Sequence, residues 1–149
     1  MTYRRSVTLR TDIDTREPPE PVKEQPWARL SLTWQPDVIV LNRGAHFSQT
    51  SDLLDGVRST LLWVQEFLPR AVVLWRNTPH GHPGCDNATG PLLAPLAAPA
   101  LAAMPFHWNA FPSQNGALEA MIKRDFPGVL HIDVATPTNL RPDGHPGKG

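Results

Sequence analysis

A chain of 149 residues is long enough for one domain around one hydrophobic core. Its 14 basic and 14 acidic residues give a formal net charge of zero, which argues against a nucleic-acid-binding surface or a contact with an anionic membrane. No apolar run is long enough for a transmembrane span or a signal peptide, and the single cysteine excludes an internal disulfide.

The first 30 residues are polar, charged and interrupted by prolines, which predicts a flexible polar arm over residues 1–30. Residues 31–149 then form the folded domain. Within it, the apolar run Val38–Leu41 predicts a short buried strand. Three residues suited to an active-site loop follow it: Asn42, Gly44 and His46. Because ligands gather at the carboxyl ends of parallel strands in open α/β sheets, we expect a catalytic loop here.

The next segment, Ser51–Leu68, has apolar residues at i, i+3, i+4 and i+7 spacing, which predicts an amphipathic helix. Thr50 or Ser51 is the expected N-cap, and Pro69 ends the helix. A second apolar run, Ala71–Trp75, predicts another strand. Strand, helix and strand in this order predict a βαβ unit with parallel strands.

Polar side chains also follow this second strand. Arg76 is expected either to bind a substrate carboxylate or to fix the loop through a salt bridge to Asp86, and the sequence favours the second role. Four residues of metal-ligand type lie in or near the loop: His80, His82, Cys85 and His107. Their spacing matches no standard zinc site, so we predict no metal and consider His82 a substrate-binding candidate.

The third part of the chain contains one more helix and one more strand. Ser113–Asp125 predicts the helix, with Ser113 as its cap, and residues 129–134 contain a weaker strand. Before them, the Ala/Leu/Pro-rich residues 91–104 are compatible with a short helix. The fold class predicted by this order of elements is α/β with a parallel sheet.

Three further features bear on function. Asp143 and His145 are either a catalytic pair or a structural turn, and the sequence favours the turn. Trp108 is suited to stack on a sugar ring. Asn87 begins an Asn-Ala-Thr sequon, which is compatible with a glycosylated surface loop in the secretory pathway, although no signal peptide or membrane anchor is expected in these residues. The sequon and the lone Cys85 fit a cytosolic protein with one buried cysteine equally well.

Four short blocks occur in an informative order: Asp37–His46, Val73–Cys85, His107–Asn109 and Leu140–Pro146. Together they span most of the chain, and they resemble the trichome-birefringence-like proteins and the wider PC-esterase group of the SGNH (GDSL-like) hydrolase superfamily. The resemblance implies a flavodoxin-like three-layer α/β/α sandwich. It also implies a protein of the Golgi lumen that transfers or removes acetyl groups on polysaccharide hydroxyls with a Ser-His-Asp triad.

By position, the resemblance implies that Asn42 is an oxyanion-hole side chain, that Gly44 is its backbone neighbour and that His46 lines the site. The alternatives are that Asn42 caps a turn at the strand end and that His46 is a solvated loop histidine. The family's Gly-Asp-Ser and Asp-x-x-His motifs are both absent from these 149 residues, and Asp143 and His145 are two positions apart rather than three. We therefore expect an incomplete domain that is inactive alone. No cofactor is expected, and an acyl donor such as acetyl-CoA is compatible with the chemistry.

Three functions remain open at this point. The first is a carbohydrate O-acetyltransferase or acetylesterase domain, whose substrate-binding residues would be Arg76, His82 and Trp108. The second is a non-catalytic polysaccharide-binding or structural remnant of the same fold. Both predict a polysaccharide or glycan partner and no nucleic acid. The third, a metal-binding α/β protein, is the least favoured.

Overall fold

The computed structural model describes residues 27–44, 49–97, 100, 102 and 104–144. Most of the predicted arm lies outside the described residues, as do His46 and His145 and part of the segment 91–104. The roles predicted for these residues therefore stay predictions.

Three short strands form one parallel sheet in the order β1-β2-β3. The strands are β1 (Val38–Leu41), β2 (Val72–Arg76) and β3 (Leu130–Ile132). In the register, Val38 lies opposite Val72 and Leu74 lies opposite Leu130. The predicted α/β class and the parallel βαβ unit are confirmed.

Helices connect and precede the strands in the described part of the chain. They are α1 (Trp27–Trp34), α2 (Thr50–Phe67), α3 (Phe111–Asp125) and the short α4 (Ala135–Thr138). Three 3₁₀ turns cover Cys85–Asn87, Pro105–Ala110 and Pro142–Gly144. None of the described helices has the length and apolar character that crossing a membrane requires.

The amino-terminal caps predicted for the two long helices are wrong. Helix α2 starts at Thr50, and its N-cap is Gln49, which makes no side-chain capping hydrogen bond. Helix α3 starts at Phe111, two residues before the predicted cap, because the 3₁₀ turn runs directly into it and Pro112 fixes a helical φ in its first turn. Ser113 lies inside that turn and donates its hydroxyl to Ala110 O at 2.9 Å.

Helix α1 begins at Trp27, within the segment that the sequence assigns to the arm. Its indole packs edge-on against Trp63 of α2, with 5.5 Å between ring centroids and 73° between ring planes. Trp27 and Ala28 are buried in the main core. Because of this aromatic contact, residues 27–30 are part of the folded domain. The polar residues that precede them in the sequence do not indicate this.

One face of the sheet is covered by helices and forms the core. We call it the covered face; its buried strand residues are Leu41, Val73 and Trp75. Helices α2 and α3 pack against it and against each other, and they contribute the apolar stripe that the α2 periodicity predicts. The buried residues of these helices are Leu53, Val57, Leu61, Val64, Leu118, Met121 and Ile122.

The opposite face of the same sheet is apolar and exposed. We call it the open face; it carries Val38, Val40, Val72 and Leu130, each about half exposed. The alternation follows from strand geometry, because successive side chains point to opposite faces. Val72 on the open face is 47% exposed, whereas its neighbour Val73 on the covered face is 8% exposed.

Candidate functional site

The carboxyl-terminal edge of the sheet brings polar strand ends together, as the parallel arrangement predicts. Asn42 follows β1, Asn77 and Thr78 follow β2, and Asp133 follows β3. Arg76 is the last residue of β2. We refer to this region as the carboxyl edge.

Asn42 joins the ends of β1 and β2. Its Nδ2 donates to the main-chain oxygen of Arg76 at 2.9 Å and to Thr78 Oγ1 at 3.3 Å. The guanidinium of Arg76 in turn donates to Asn42 Oδ1 at 3.2 Å. The carboxamide therefore uses its two N–H groups and its oxygen within the protein, and Arg76 contributes to the same cluster.

Thr78 is buried, and it is in contact with Asn42, Asn115 and Gly44. The Asn115 carboxamide on α3 accepts from Thr78 N at 3.0 Å and donates to Thr78 O at 2.8 Å. On the other side, a Cβ at Gly44 would overlap with Thr78 Oγ1. Gly44 thus has a steric role at this position, since the absence of a side chain lets the β1 loop approach Thr78.

A second cluster joins the ends of β2 and β3. Asn77 Nδ2 donates to Asp133 Oδ1 at 2.8 Å, and Asn77 Oδ1 accepts from Val134 N at 2.8 Å and Ala135 N at 2.9 Å. Hydrogen bonding from the Thr136 side chain first, and then from Asn77, lowers the pKa of Asp133 to about 2. The ionised carboxylate is therefore a fixed structural element at the start of α4.

The two histidines of the loop after β2 have different surroundings. His82 is 2% exposed, and its Nε2 lies 2.7 Å from Asn139 O; because a carbonyl oxygen only accepts, this nitrogen carries a hydrogen. His80 is partly buried, and burial first and then the nearby His82 lower its pKa, while Asp133 opposes the shift. Among the described residues, no three His, Cys, Asp or Glu side chains form a group that could hold a metal ion.

Trp108 lies in the 3₁₀ turn Pro105–Ala110 and packs against the loop after β2. A Cβ at Gly81 would overlap with the six-membered ring of the Trp108 indole, so Gly81 permits close packing of that ring. Phe111, at the start of α3, has its ring centroid 6.5 Å from that of Trp108. The neighbouring His107 is exposed and has a φ of 58°, a left-handed conformation that is uncommon for residues other than glycine.

Asp143 and Asn87 lie further from the strand ends. The Asp143 carboxylate binds the Arg141 guanidinium through two contacts of 2.9 Å, and this hydrogen bonding lowers the pKa of Asp143. Its partner among the described residues is therefore Arg141. Asn87 is exposed at the end of a 3₁₀ turn, so its side chain is accessible to a glycosylating enzyme.

Three of the four sequence blocks meet at the loop after β2, which itself belongs to the second block. Asn42 of the first block contacts Thr78, and Trp108 of the third block packs on Gly81. His82 binds Asn139, which immediately precedes the fourth block. Segments that are separated by up to about a hundred positions in sequence thus meet around residues 78–82.

Sequence reasoning missed four residues of these clusters: Asn77, Thr78, Asn115 and Asp133. Asn77 and Thr78 directly follow an apolar run, so their position at a strand end was a usable signal. Asn115 had none, since an asparagine in the first turns of a helix is ordinary and its target is 37 positions away.

Comparison of the chain with protein-family models, with curated proteins and with solved structures gave no match in any of the three.

Proposed function

We propose that this chain forms part of an SGNH-type domain that is an O-acetyltransferase or an acetylesterase for a cell-wall polysaccharide. The observation that carries the proposal is the meeting of three family-like blocks around residues 78–82, where His82 also binds Asn139, the residue before the fourth block. These segments meet at the carboxyl end of the sheet. That end is also where α/β folds carry their sites.

In this proposal, the acyl group of the substrate binds at the carboxyl edge. Acyl transfer requires hydrogen-bond donors directed at the oxygen that becomes negative in the transition state. Asn42 and Arg76 supply polar and positive groups at this edge. Because the Gly-Asp-Ser and Asp-x-x-His motifs are absent from the 149 residues, we assign this chain donors and binding groups rather than the nucleophile.

The polysaccharide is assigned to the surface around Trp108, beside the loop after β2. An indole fixed against Gly81 presents a rigid apolar surface of the kind that sugar rings stack on. The exposed Asn87 sequon supports a location in the secretory pathway, with the Golgi lumen as the proposed compartment.

We further propose that the fold is a flavodoxin-like three-layer sandwich, in which a third layer covers the open face. Parallel sheets are normally covered on both faces, and the open face is aliphatic where a two-layer protein would carry polar residues. Val40, at 55% exposure, illustrates this.

One observation favours the alternative, a non-catalytic polysaccharide-binding form of the fold. Both N–H groups of Asn42 already have acceptors within the protein, at Arg76 O and Thr78 Oγ1. A side chain in this state acts as a structural tie between strands. In the alternative, the carboxyl edge only shapes the loop against which Trp108 packs.

Binding of acetylated and deacetylated xylo-oligosaccharides, measured by calorimetry on the purified chain, tests the proposal. We expect tighter binding of the acetylated ligand, and we expect Arg76→Gln to remove most of that preference. The matched control is Arg70→Gln, because Arg70 lines a cleft at the opposite end of the sheet, near Asp37.

Three outcomes separate the hypotheses. Equal affinity for both ligands supports the non-catalytic alternative, and binding of neither contradicts both hypotheses. Serine-dependent hydrolysis of 4-nitrophenyl acetate above a heat-treated control contradicts the expected lack of turnover. In that event the exposed serines Ser51 and Ser113 are the first to replace.

A further inference from the structure

For each hydrogen-bond donor at the carboxyl edge, one can ask whether it already has an acceptor within the protein. The Asn42 carboxamide has two N–H hydrogens. One is directed at Arg76 O and the other at Thr78 Oγ1. An acyl oxygen that reaches this edge therefore finds no unused hydrogen on Asn42.

Thr78 does have an unused hydrogen. Its hydroxyl oxygen accepts from Asn42, which leaves its own O–H free to donate. In the part of the chain that the structure describes, that hydroxyl donates to no acceptor, although the residue is only 6% exposed. A buried donor without an acceptor is costly to the fold, so a partner from outside the chain is a physical explanation for its retention.

The hydrogen bonds at this edge also have one direction. Arg76 donates to Asn42, and Asn42 donates to Thr78. In such a chain each bond polarises the next, and the guanidinium at its start carries a full positive charge. The Thr78 O–H at the end is consequently a stronger donor than an isolated hydroxyl.

The position of Thr78 is also fixed. Asn115 holds both its main-chain N–H and its carbonyl, and Gly44 leaves room for the hydroxyl at its present place. Preorganised donors of this kind stabilise developing charge because they need no rearrangement during reaction.

We infer that the Thr78 hydroxyl, rather than the Asn42 amide, donates the hydrogen bond to the acyl oxygen of a bound acetyl ester. Asn42, Arg76 and Asn115 are then positioning residues that act through Thr78. The inference rests on the proposed acyl function and identifies which group at the edge meets the ligand.

The test compares the full 149-residue chain with Thr78→Val and Thr78→Ser. The probes are an acetylated xylo-oligosaccharide and its deacetylated counterpart. We expect Thr78→Val to weaken binding of the acetylated probe between about threefold and tenfold, in proportion to one lost hydrogen bond, and to leave the deacetylated probe unaffected. Thr78→Ser retains the hydroxyl and should stay within about twofold of the wild type.

The matched control is Thr60→Val. Thr60 is also a buried threonine, at 2% exposure, and its hydroxyl donates to Gly56 O within α2. This variant should lower the melting temperature without changing the ratio of the two affinities. A purely structural role for Thr78 predicts the same result for Thr78→Val.

The outcomes distinguish the inference from the function on which it rests. If the wild type prefers the acetylated probe and Thr78→Val keeps that preference, the inference is wrong and the proposed function stands. If the wild type has no such preference, the proposed function fails and the inference with it. If Thr78→Val does not fold, Thr78→Cys, whose thiol is a weak donor, replaces it with the same expected loss.

Discussion

The carboxyl edge and the open face belong to the same three strands, but they differ in how far their side chains have partners among the described residues. At the edge, Asn42, Asn77 and Asp133 have partners from neighbouring strands or helices. On the open face, Val40 and Leu130 are each 55% exposed. The geometry of the edge is thus determined by residues of this chain, whereas nothing among the described residues covers the aliphatic surface.

This difference has an energetic consequence. Removing a partner at the edge leaves buried polar groups unsatisfied, which costs about 1–3 kcal/mol for each group. Removing the two methyl groups of a half-exposed valine forfeits only about half of their transfer free energy, which is below about 1 kcal/mol. Substitutions at the two regions therefore measure how fully the side chains of each region are hydrogen-bonded or buried in solution.

The largest effect is expected at Asn77. Asn77→Ala deprives the main-chain N–H groups of Val134 and Ala135 of their acceptor and removes a donor to Asp133. We expect the free energy of unfolding to fall by about 3 kcal/mol, measured by denaturant titration. Val40→Ala on the open face is the matched comparison and should cost less than about 1 kcal/mol.

Equal costs for the two variants would contradict the comparison. A large loss for Val40→Ala would mean that the open face is covered in solution. A small loss for Asn77→Ala would mean that water replaces its hydrogen bonds and that the edge is open.

Glycine positions give the second contrast. At Gly81, a Cβ would overlap with the Trp108 indole, so Gly81→Ala should destabilise by about 1–3 kcal/mol through overpacking. At Gly116, an exposed position within α3, nothing lies within 4 Å of the added Cβ. Gly116→Ala should therefore stabilise by up to about 1 kcal/mol through helix propensity. Thermal denaturation of both variants measures the two signs.

Tryptophan fluorescence, to which Trp108 is one of five contributors, provides a second readout of this contrast. If Gly81→Ala moves the indole, tryptophan fluorescence should change together with the melting temperature. An unchanged spectrum and an unchanged melting temperature would show that the loop after β2 does not pack as described.

How far the sequence predicts this molecule depends on the range of the interactions. The strand Val38–Leu41 was predicted with its observed limits, and Thr50–Phe67 within one residue of the prediction, because local periodicity determines both. The caps were wrong, since Pro112 and the preceding 3₁₀ turn override the local preference of Ser113.

The site was predicted less completely than the fold. The placement of Asn42 and Arg76 at a strand end follows from the pattern of apolar runs. Their partners Thr78 and Asn115 depend on how α3 docks, which no local pattern encodes. The roles assigned to His82, Trp108 and Asn87 stay predictions.

The third effect is a pH dependence that arises at the edge. The pKa of Asp133 is about 2 in the folded chain, below the value of about 3.9 for an unfolded aspartate. Its contribution to stability is therefore present above about pH 4 and is lost as the pH falls from about 4 to about 2. Because the residue is exposed, solvent screening limits this contribution to about 1 kcal/mol.

Unfolding free energies measured between pH 2 and pH 7 check this expectation. Asp133→Asn should flatten the acid limb of the stability profile, because the amide oxygen still accepts from Thr136 but no longer titrates. A profile that keeps its slope in the variant would assign the acid sensitivity to other carboxylates, such as Asp125, whose pKa is also lowered to about 2 by Arg124.

The smallest effect on stability, and the most informative about the open face, is expected from Val40→Lys. Val40 lies on the open face of β1, an edge strand of the sheet, and is already 55% exposed, so a lysine there should change the unfolding free energy by less than about 0.5 kcal/mol. An uncovered aliphatic sheet face is an aggregation hazard, and a charge on its edge strand should raise the concentration at which the chain stays monodisperse in light scattering. Val73→Lys on the covered face is the contrasting variant and should fail to fold, since it buries an unpaired charge. If Val40→Lys unfolds the chain as Val73→Lys does, both faces of the sheet are buried in solution, and the contrast between the completed edge and the uncovered face no longer holds.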